Sequence, residues 1–106
     1  MVRVQINVKR HALIINGHAG AAEPGRDLVC CAVSTLAETL SRYLETRMED
    51  GALEMLMDKV EPGNVQIIAW PESTNEKQIR ALFEMIREGY RAIAEEYPQY
   101  IKLRED

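Results

Sequence analysis

Apolar residues recur along this chain with two different spacings, and the change from one to the other restricts the fold more than any other feature. Near the start they occupy every second position, at Val2, Val4, Ile6 and Val8. This alternation predicts a half-buried β-strand over residues 2–8. A second apolar run, residues 11–17, follows a polar turn and ends at Gly17. It is predicted to pair with the first strand as a hairpin.

From Asp27 the spacing changes to three and four residues, which is the period of an α-helix. The apolar stripe of this first helix consists of Val29, Val33, Leu36, Leu40 and Leu44. Charged residues and Gly51 are expected to end it. Ser73 and Glu76 have the spacing of a capping box and predict the start of a second helix, which Pro98 ends. Its apolar face consists of Ile79, Leu82, Phe83, Ile86, Tyr90, Ile93 and Tyr97.

The remaining apolar runs complete the predicted order of elements. Residues 52–60 and 65–70 flank a Pro-Gly turn and indicate a second hairpin, although the helix propensity of 52–60 leaves an extension of the first helix open. Residues 99–103 predict a short terminal strand. The order ββαββαβ predicts an α+β fold with two helices packed on a mostly antiparallel sheet. With 106 residues, of which 46% are apolar, the chain is expected to form a single domain over 1–106.

Composition restricts the partners and the compartment. The net charge of −4 argues against binding to a nucleic-acid backbone and favours a basic partner. The first ten residues contain no continuous apolar segment, so neither a secretory signal nor a membrane span is expected. Cys30 and Cys31 are adjacent, and their α-carbons, about 3.8 Å apart, are too close for an unstrained disulfide. Two free thiols indicate a reducing compartment, so we expect a cytoplasmic protein.

A glycine-rich loop, residues 17–26, joins the second predicted strand to the first helix. It contains no apolar residue larger than alanine, so packing is not expected to anchor it. Connections of this length are often functional or mobile. His18 is its one side chain that titrates near neutral pH. The other histidine, His11, lies at a strand start and is expected on the surface.

The residues best suited to catalysis lie at the start of the first helix. Asp27 is predicted to be its N-cap, which places Cys30 in the first turn, where the helix dipole favours a thiolate and free amides could receive an oxyanion. At about 100° per residue, Cys30 lies at the edge of the apolar stripe and Cys31 nearly opposite it. Asp27 and Ser34 share the side of Cys30. With His18 on the adjoining loop, these residues could form a nucleophile and its base.

Simpler explanations account for the same residues. A cysteine in a helix is usually a small core residue, an aspartate here can be a plain cap, and a loop histidine is usually solvated. Metal binding by His18, Cys30 and Cys31 is disfavoured, because adjacent cysteines point apart on a helix. The loop also lacks the glycine and lysine patterns of nucleotide-binding loops. We therefore expect neither a metal nor another cofactor.

The segment "GHAG" followed by "GRDLVCCAVS" resembles the signature of the ribosomal-processing cysteine protease family, Prp. The resemblance implies a homodimeric cysteine endopeptidase that removes a short N-terminal extension from large-subunit ribosomal protein twenty-seven during ribosome assembly. It implies that Cys30 is the nucleophile and His18 the base, accompanied by Asp27 and Ser34. Its implied substrate loop includes Gly17, Ala19, Gly20 and Gly25.

One position departs from the family pattern. The family usually has alanine after the nucleophile, where this chain has Cys31, so a second thiol stands beside the first. Both the register of the signature and the helical angle favour Cys30. The alternative function is a noncatalytic, ribosome-associated dimer that binds a peptide through the same loop.

Overall fold

The computed structural model describes residues 1–23 and 27–106. Its elements are β1 (Val2–Asn7), β2 (Ala12–Asn16), α1 (Leu28–Glu49), β3 (Leu53–Glu61), β4 (Asn64–Pro71), α2 (Glu76–Glu96) and β5 (Ile101–Glu105). The predicted order ββαββαβ is confirmed, and residues 52–60 form a strand rather than an extension of α1. None of the helices in the described ranges is both long and apolar enough to cross a membrane.

The strands form one five-stranded sheet in the order β3-β4-β2-β1-β5. Both predicted hairpins are present, with Ile6 opposite Leu13 in the first and Val60 opposite Val65 in the second. β2 also pairs with β4 in antiparallel orientation, whereas β5 runs parallel to β1. The sheet is therefore mostly antiparallel, as predicted. The β2–β4 pairing brings the end of β2 beside the turn between β3 and β4.

The apolar stripes predicted from the two spacings meet in the core. Alternate residues of the strands face the helices and are buried, and they include Val4, Ile6, Leu13, Ile15 and Ile67. The α1 stripe is buried except for Leu36, which is half-buried. Tyr90 of α2 is fully buried, and its hydroxyl donates to the backbone oxygen of Val33, 3.0 Å away. This bond joins the two helices directly above the sheet.

The structure corrects two predictions, one for the start of α2 and one for His11, which contacts it. The capping box does not form, because Ser73–Asn75 is a short 3₁₀ turn and the helix begins at Glu76. The Glu76 carboxylate instead lies 2.7 Å from Nε2 of His11. His11 is only 8% exposed, so its predicted surface position is wrong. Its ring packs edge-on against Phe83 at 6.1 Å, a contact between distant segments that local sequence does not reveal.

Candidate active site

The residues predicted to be functional meet where the loop after β2 reaches the first turn of α1. A cavity of about 650 Å³ lies at this junction, and both His18 and Cys30 line it. Its other lining residues are Gly20, Ala22, Asp27, Cys31, Ser34 and Pro62. The structure therefore brings together the predicted nucleophile, base and both supporting residues.

A second, smaller cavity of about 120 Å³ adjoins the first, because His18, Cys30, Ser34 and Pro62 line both. We call the smaller one the inner cavity and the larger one the outer cavity. The remaining walls of the inner cavity consist of Val2, Ile15, Gly17, Val33, Glu61, Gly63 and Val65. The sequence prediction missed most of these residues. The sequence pattern placed these residues in strands and in a hairpin with a Pro-Gly turn. It did not indicate that this turn faces the loop after β2.

Cys30 and Cys31 have the different environments that the helical angle predicts. Cys31 is exposed, whereas Cys30 is half-buried, and both thiols are free. The backbone amide of Ala19 donates to Sγ of Cys30 at 3.2 Å. The loop thus contributes directly to the environment of this sulfur.

The loop is also anchored more firmly than its composition indicates. Ala19 is only 4% exposed and belongs to the apolar core, so the expectation that packing does not anchor the loop is wrong. The side chain of Ala19 packs in the core while its amide donates to Cys30. Among the other predicted loop residues, Gly17 lines the inner cavity and Gly20 the outer one. Gly25 lies outside the described residues.

Asp27 is the N-cap of α1, as predicted. One carboxylate oxygen accepts from the amide of Cys30 at 2.9 Å, and the other accepts from the amide of Ala21 at 3.0 Å. These backbone hydrogen bonds, that from Cys30 foremost, hold the pKa of Asp27 below its usual value although burial opposes them. Asp27 is therefore ionised at neutral pH and ties the loop to the helix.

The same cap changes which amides are open to a ligand. The Cys30 amide already donates to Asp27, so it is not free to receive an oxyanion. The first hydrogen bond within the helix runs from the Cys31 amide to the backbone oxygen of Asp27 at 3.0 Å. The amides of Leu28 and Val29 precede it and have no partner within the helix.

His18 is exposed and lies against the turn between β3 and β4, at Gly63. Among residues 1–23 and 27–106, no hydrogen bond joins its imidazole to the thiol of Cys30, and none joins Ser34 to that thiol. Bonds between a nucleophile and its base are often absent or long without substrate. The shared cavities place both groups beside the same space.

Comparison with known proteins decides the family. The sequence model described as Cysteine protease Prp matches residues 1–102. The chain belongs to the Prp family. Among the curated relatives, the ribosomal processing cysteine protease Prp of Mycoplasma genitalium is 28% identical over 103 residues, which cover 97% of this chain and 96% of that protein. As a member of this family, the chain is a cysteine protease.

Solved structures share the fold. A crystal structure of Prp from S. aureus with a covalently linked product peptide superposes with a TM-score of 0.77, at 22% identity, covering 100% of both chains. A protein from Streptococcus mutans gives a TM-score of 0.66 at 26% identity, covering 98% of this chain and 90% of that one. The chain thus has the Prp fold over its whole length, in addition to the family signature in the loop and the helix start.

The side chains at this site suit covalent chemistry on a peptide bond. Across residues 1–23 and 27–106, no group of three or more His, Cys, Asp or Glu side chains is placed to hold a metal ion. The site instead offers a thiol with an amide hydrogen bond, a nearby imidazole and two adjoining cavities. These are the groups that nucleophilic hydrolysis of an amide requires.

Proposed function

We propose that this chain removes the N-terminal extension of bacterial large-subunit ribosomal protein twenty-seven, with Cys30 as the nucleophile and His18 as the base. The observation that carries the proposal is the position of Cys30. Its sulfur accepts an amide hydrogen bond from the loop and lies beside the cavity that His18 also lines. The name of the Mycoplasma genitalium relative, a ribosomal processing protease, supports the class of substrate.

The reaction proceeds through a thioester. The thiolate of Cys30 attacks the scissile carbonyl carbon, and protonated His18 gives its proton to the departing amine as the carbon–nitrogen bond breaks. Neutral His18 then takes a proton from water, whose oxygen attacks the thioester carbonyl. The carbon–sulfur bond breaks and releases the acid and the Cys30 thiolate, which restores the starting pair with protonated His18. Asp27 holds the loop and helix together, and Ser34 flanks the thiol. Neither transfers a proton.

The two cavities divide the recognition of the peptide. The outer cavity, about 650 Å³ in volume, accommodates the main chain around the scissile bond. The inner one, about 120 Å³, takes a side chain against walls that are part polar and part apolar. Loop residues Gly17 and Gly20 border these spaces, and the net charge of −4 favours a basic ribosomal substrate.

Truncation of the extended ribosomal protein, followed by mass spectrometry, tests the proposal. Cys30→Ala is expected to abolish cleavage. Cys31→Ala, the matched control, keeps the nucleophile and is expected to retain cleavage. His18→Ala is expected to lower kcat by about 10²–10⁴-fold, the usual contribution of a general base. Cleavage that survives Cys30→Ala, or that only Cys31→Ala abolishes, would contradict the assignment of the nucleophile. Binding of the peptide without any cleavage would favour the noncatalytic alternative.

The resemblance also supports a cytoplasmic homodimer in which each chain, residues 1–106, is one protease domain. Light scattering after size-exclusion chromatography measures the mass of the assembly. A mass equal to one chain at micromolar concentration would contradict the dimer.

A further inference from the structure

The turn between β3 and β4 approaches the His18 ring closely at Gly63. A Cβ atom added to residue 63 would lie 2.7 Å from Nε2 of His18, 2.9 Å from Cε1 and 3.4 Å from Cδ2. Contacts below about 3 Å between carbon and a ring atom are strongly repulsive. The imidazole can therefore occupy its present position only because residue 63 has no side chain.

The same turn also positions the backbone that carries His18. The amide of Gly17 donates to the backbone oxygen of Gly63 at 3.0 Å, which continues the β2–β4 pairing beyond Asn16 and Asn64. The residue before His18 is thus bonded to the glycine against which the ring lies. Pro62, the preceding residue of the turn, lines both cavities. The turn is a wall of the site as well as a support for the imidazole.

We propose that Gly63 is a positioning residue for His18. Its bare α-carbon lets the imidazole lie against the turn, inside the space shared with Cys30. This inference rests on the proposed role of His18 as the base. A side chain at residue 63 displaces the exposed ring at little cost to the fold, because the ring is the free end of a surface side chain. The loss therefore falls on catalysis rather than on stability.

A matched pair of substitutions separates this contact from backbone strain. Gly63 has a φ of +72°, and Gly51, at the end of α1, has a φ of +83° with nothing within 4 Å of an added Cβ. Asparagine tolerates this left-handed conformation better than other residues. Gly63→Asn and Gly51→Asn thus carry a similar backbone cost, and only the first meets His18.

Steady-state cleavage of the extended ribosomal protein is the first measurement. Gly63→Asn is expected to lower kcat about 10-fold or more, as a displaced general base does, with KM changed less than about threefold. Gly51→Asn is expected to keep the wild-type kcat. In the His18→Ala background, Gly63→Asn is expected to have no further effect on kcat, because the ring that it displaces is absent. Equal kcat values for Gly63→Asn and Gly51→Asn would overturn the proposal.

A second measurement distinguishes failure of this inference from failure of the proposed function. The imidazole resonances of His18, observed by NMR, are expected to shift in Gly63→Asn and to stay in place in Gly51→Asn, whether or not the protein cleaves the ribosomal substrate. Unshifted resonances in Gly63→Asn would overturn the positioning role alone. If Gly63→Asn does not fold, recovery of folding by the added His18→Ala supports the contact. A double variant that also remains unfolded overturns it, because the need for glycine then lies in the backbone.

Discussion

Replacing Asp27 with alanine tests the junction between the loop and α1. The substitution leaves two backbone amides without the carboxylate that they share, that of Cys30 at 2.9 Å and that of Ala21 at 3.0 Å. Asp27 is buried, with 9% of its surface exposed, so water replaces these bonds poorly. The helix loses its N-cap and the loop loses one of its attachments.

The two losses together set the expected magnitude. Removing an aspartate N-cap costs about 1 kcal/mol, and removing a further buried hydrogen bond costs about 1 kcal/mol more. We expect Asp27→Ala to lower the free energy of unfolding by about 2 kcal/mol, which corresponds to a fall in Tm of roughly 10 °C for a domain of this size. Asp27→Asn keeps a cap but turns an amide donor toward Ala21, so it is expected to cost about 1 kcal/mol.

The effect should depend on pH in a defined direction. Because its pKa is lower in the folded protein than its ordinary value of 3.8, Asp27 stabilises the fold fully above that ordinary value. The stabilisation is lost as the pH falls through the lower pKa of the folded state. The difference in unfolding free energy between the wild type and Asp27→Asn is therefore expected to be largest at neutral pH and to shrink in acid.

Urea denaturation followed by circular dichroism measures these free energies. Glu38→Gln is the matched control, because it removes one carboxylate from an exposed position of α1 that makes no side-chain hydrogen bond or ion pair within the described residues. It is expected to change stability by less than about 0.5 kcal/mol. An Asp27→Ala protein that is as stable as Glu38→Gln, or an Asp27→Asn difference that grows in acid, would refute the reasoning.

Two further substitutions test contacts away from the loop. Tyr90→Phe removes the buried hydrogen bond to Val33 and is expected to lower the unfolding free energy by about 1 kcal/mol in urea denaturation. Burial holds the pKa of Tyr90 above its usual value, so the same loss is expected at mildly alkaline pH, and a pH-dependent loss would contradict it. In His11→Asn, asparagine tolerates the φ of 55° but the contacts with Glu76 and Phe83 are lost. The unfolding free energy of this variant is expected to fall by about 1–2 kcal/mol. Its kcat for folded protein is expected to be unchanged, because His11 lies at the far end of β2, roughly 20 Å from His18; a lower kcat would contradict this.

The local patterns predicted most of the elements correctly. Alternation identified β1, apolar runs beside turns identified the two hairpins, and the spacing of three and four residues identified both helices. The same spacing separated Cys30 from Cys31, and the residue type of Asp27 identified the cap. Each of these features depends on neighbours within about one helical turn or along one strand, which the sequence displays directly.

The errors involve partners that are remote in the chain. Glu76 has the spacing of a capping box with Ser73, but a histidine 65 residues away binds its carboxylate instead. Ala19 belongs to a loop with no large apolar residue, yet the core reaches it. At Glu76 the tertiary contact competes with a local capping preference of about 1 kcal/mol, which such a contact can exceed.

The sequence by itself determined the strands, the helices, the cap at Asp27 and the orientation of the two thiols, because these follow from the periods of strand and helix and from the residue type at the start of the helix. Only the tertiary structure decided where His18 lies. The pairing of β2 with β4 carries the Pro62–Gly63 turn to the loop, so that Gly63 lies against the histidine and Pro62 completes the walls of both cavities. Sheet order depends on the packing of the whole core, and no local period encodes it.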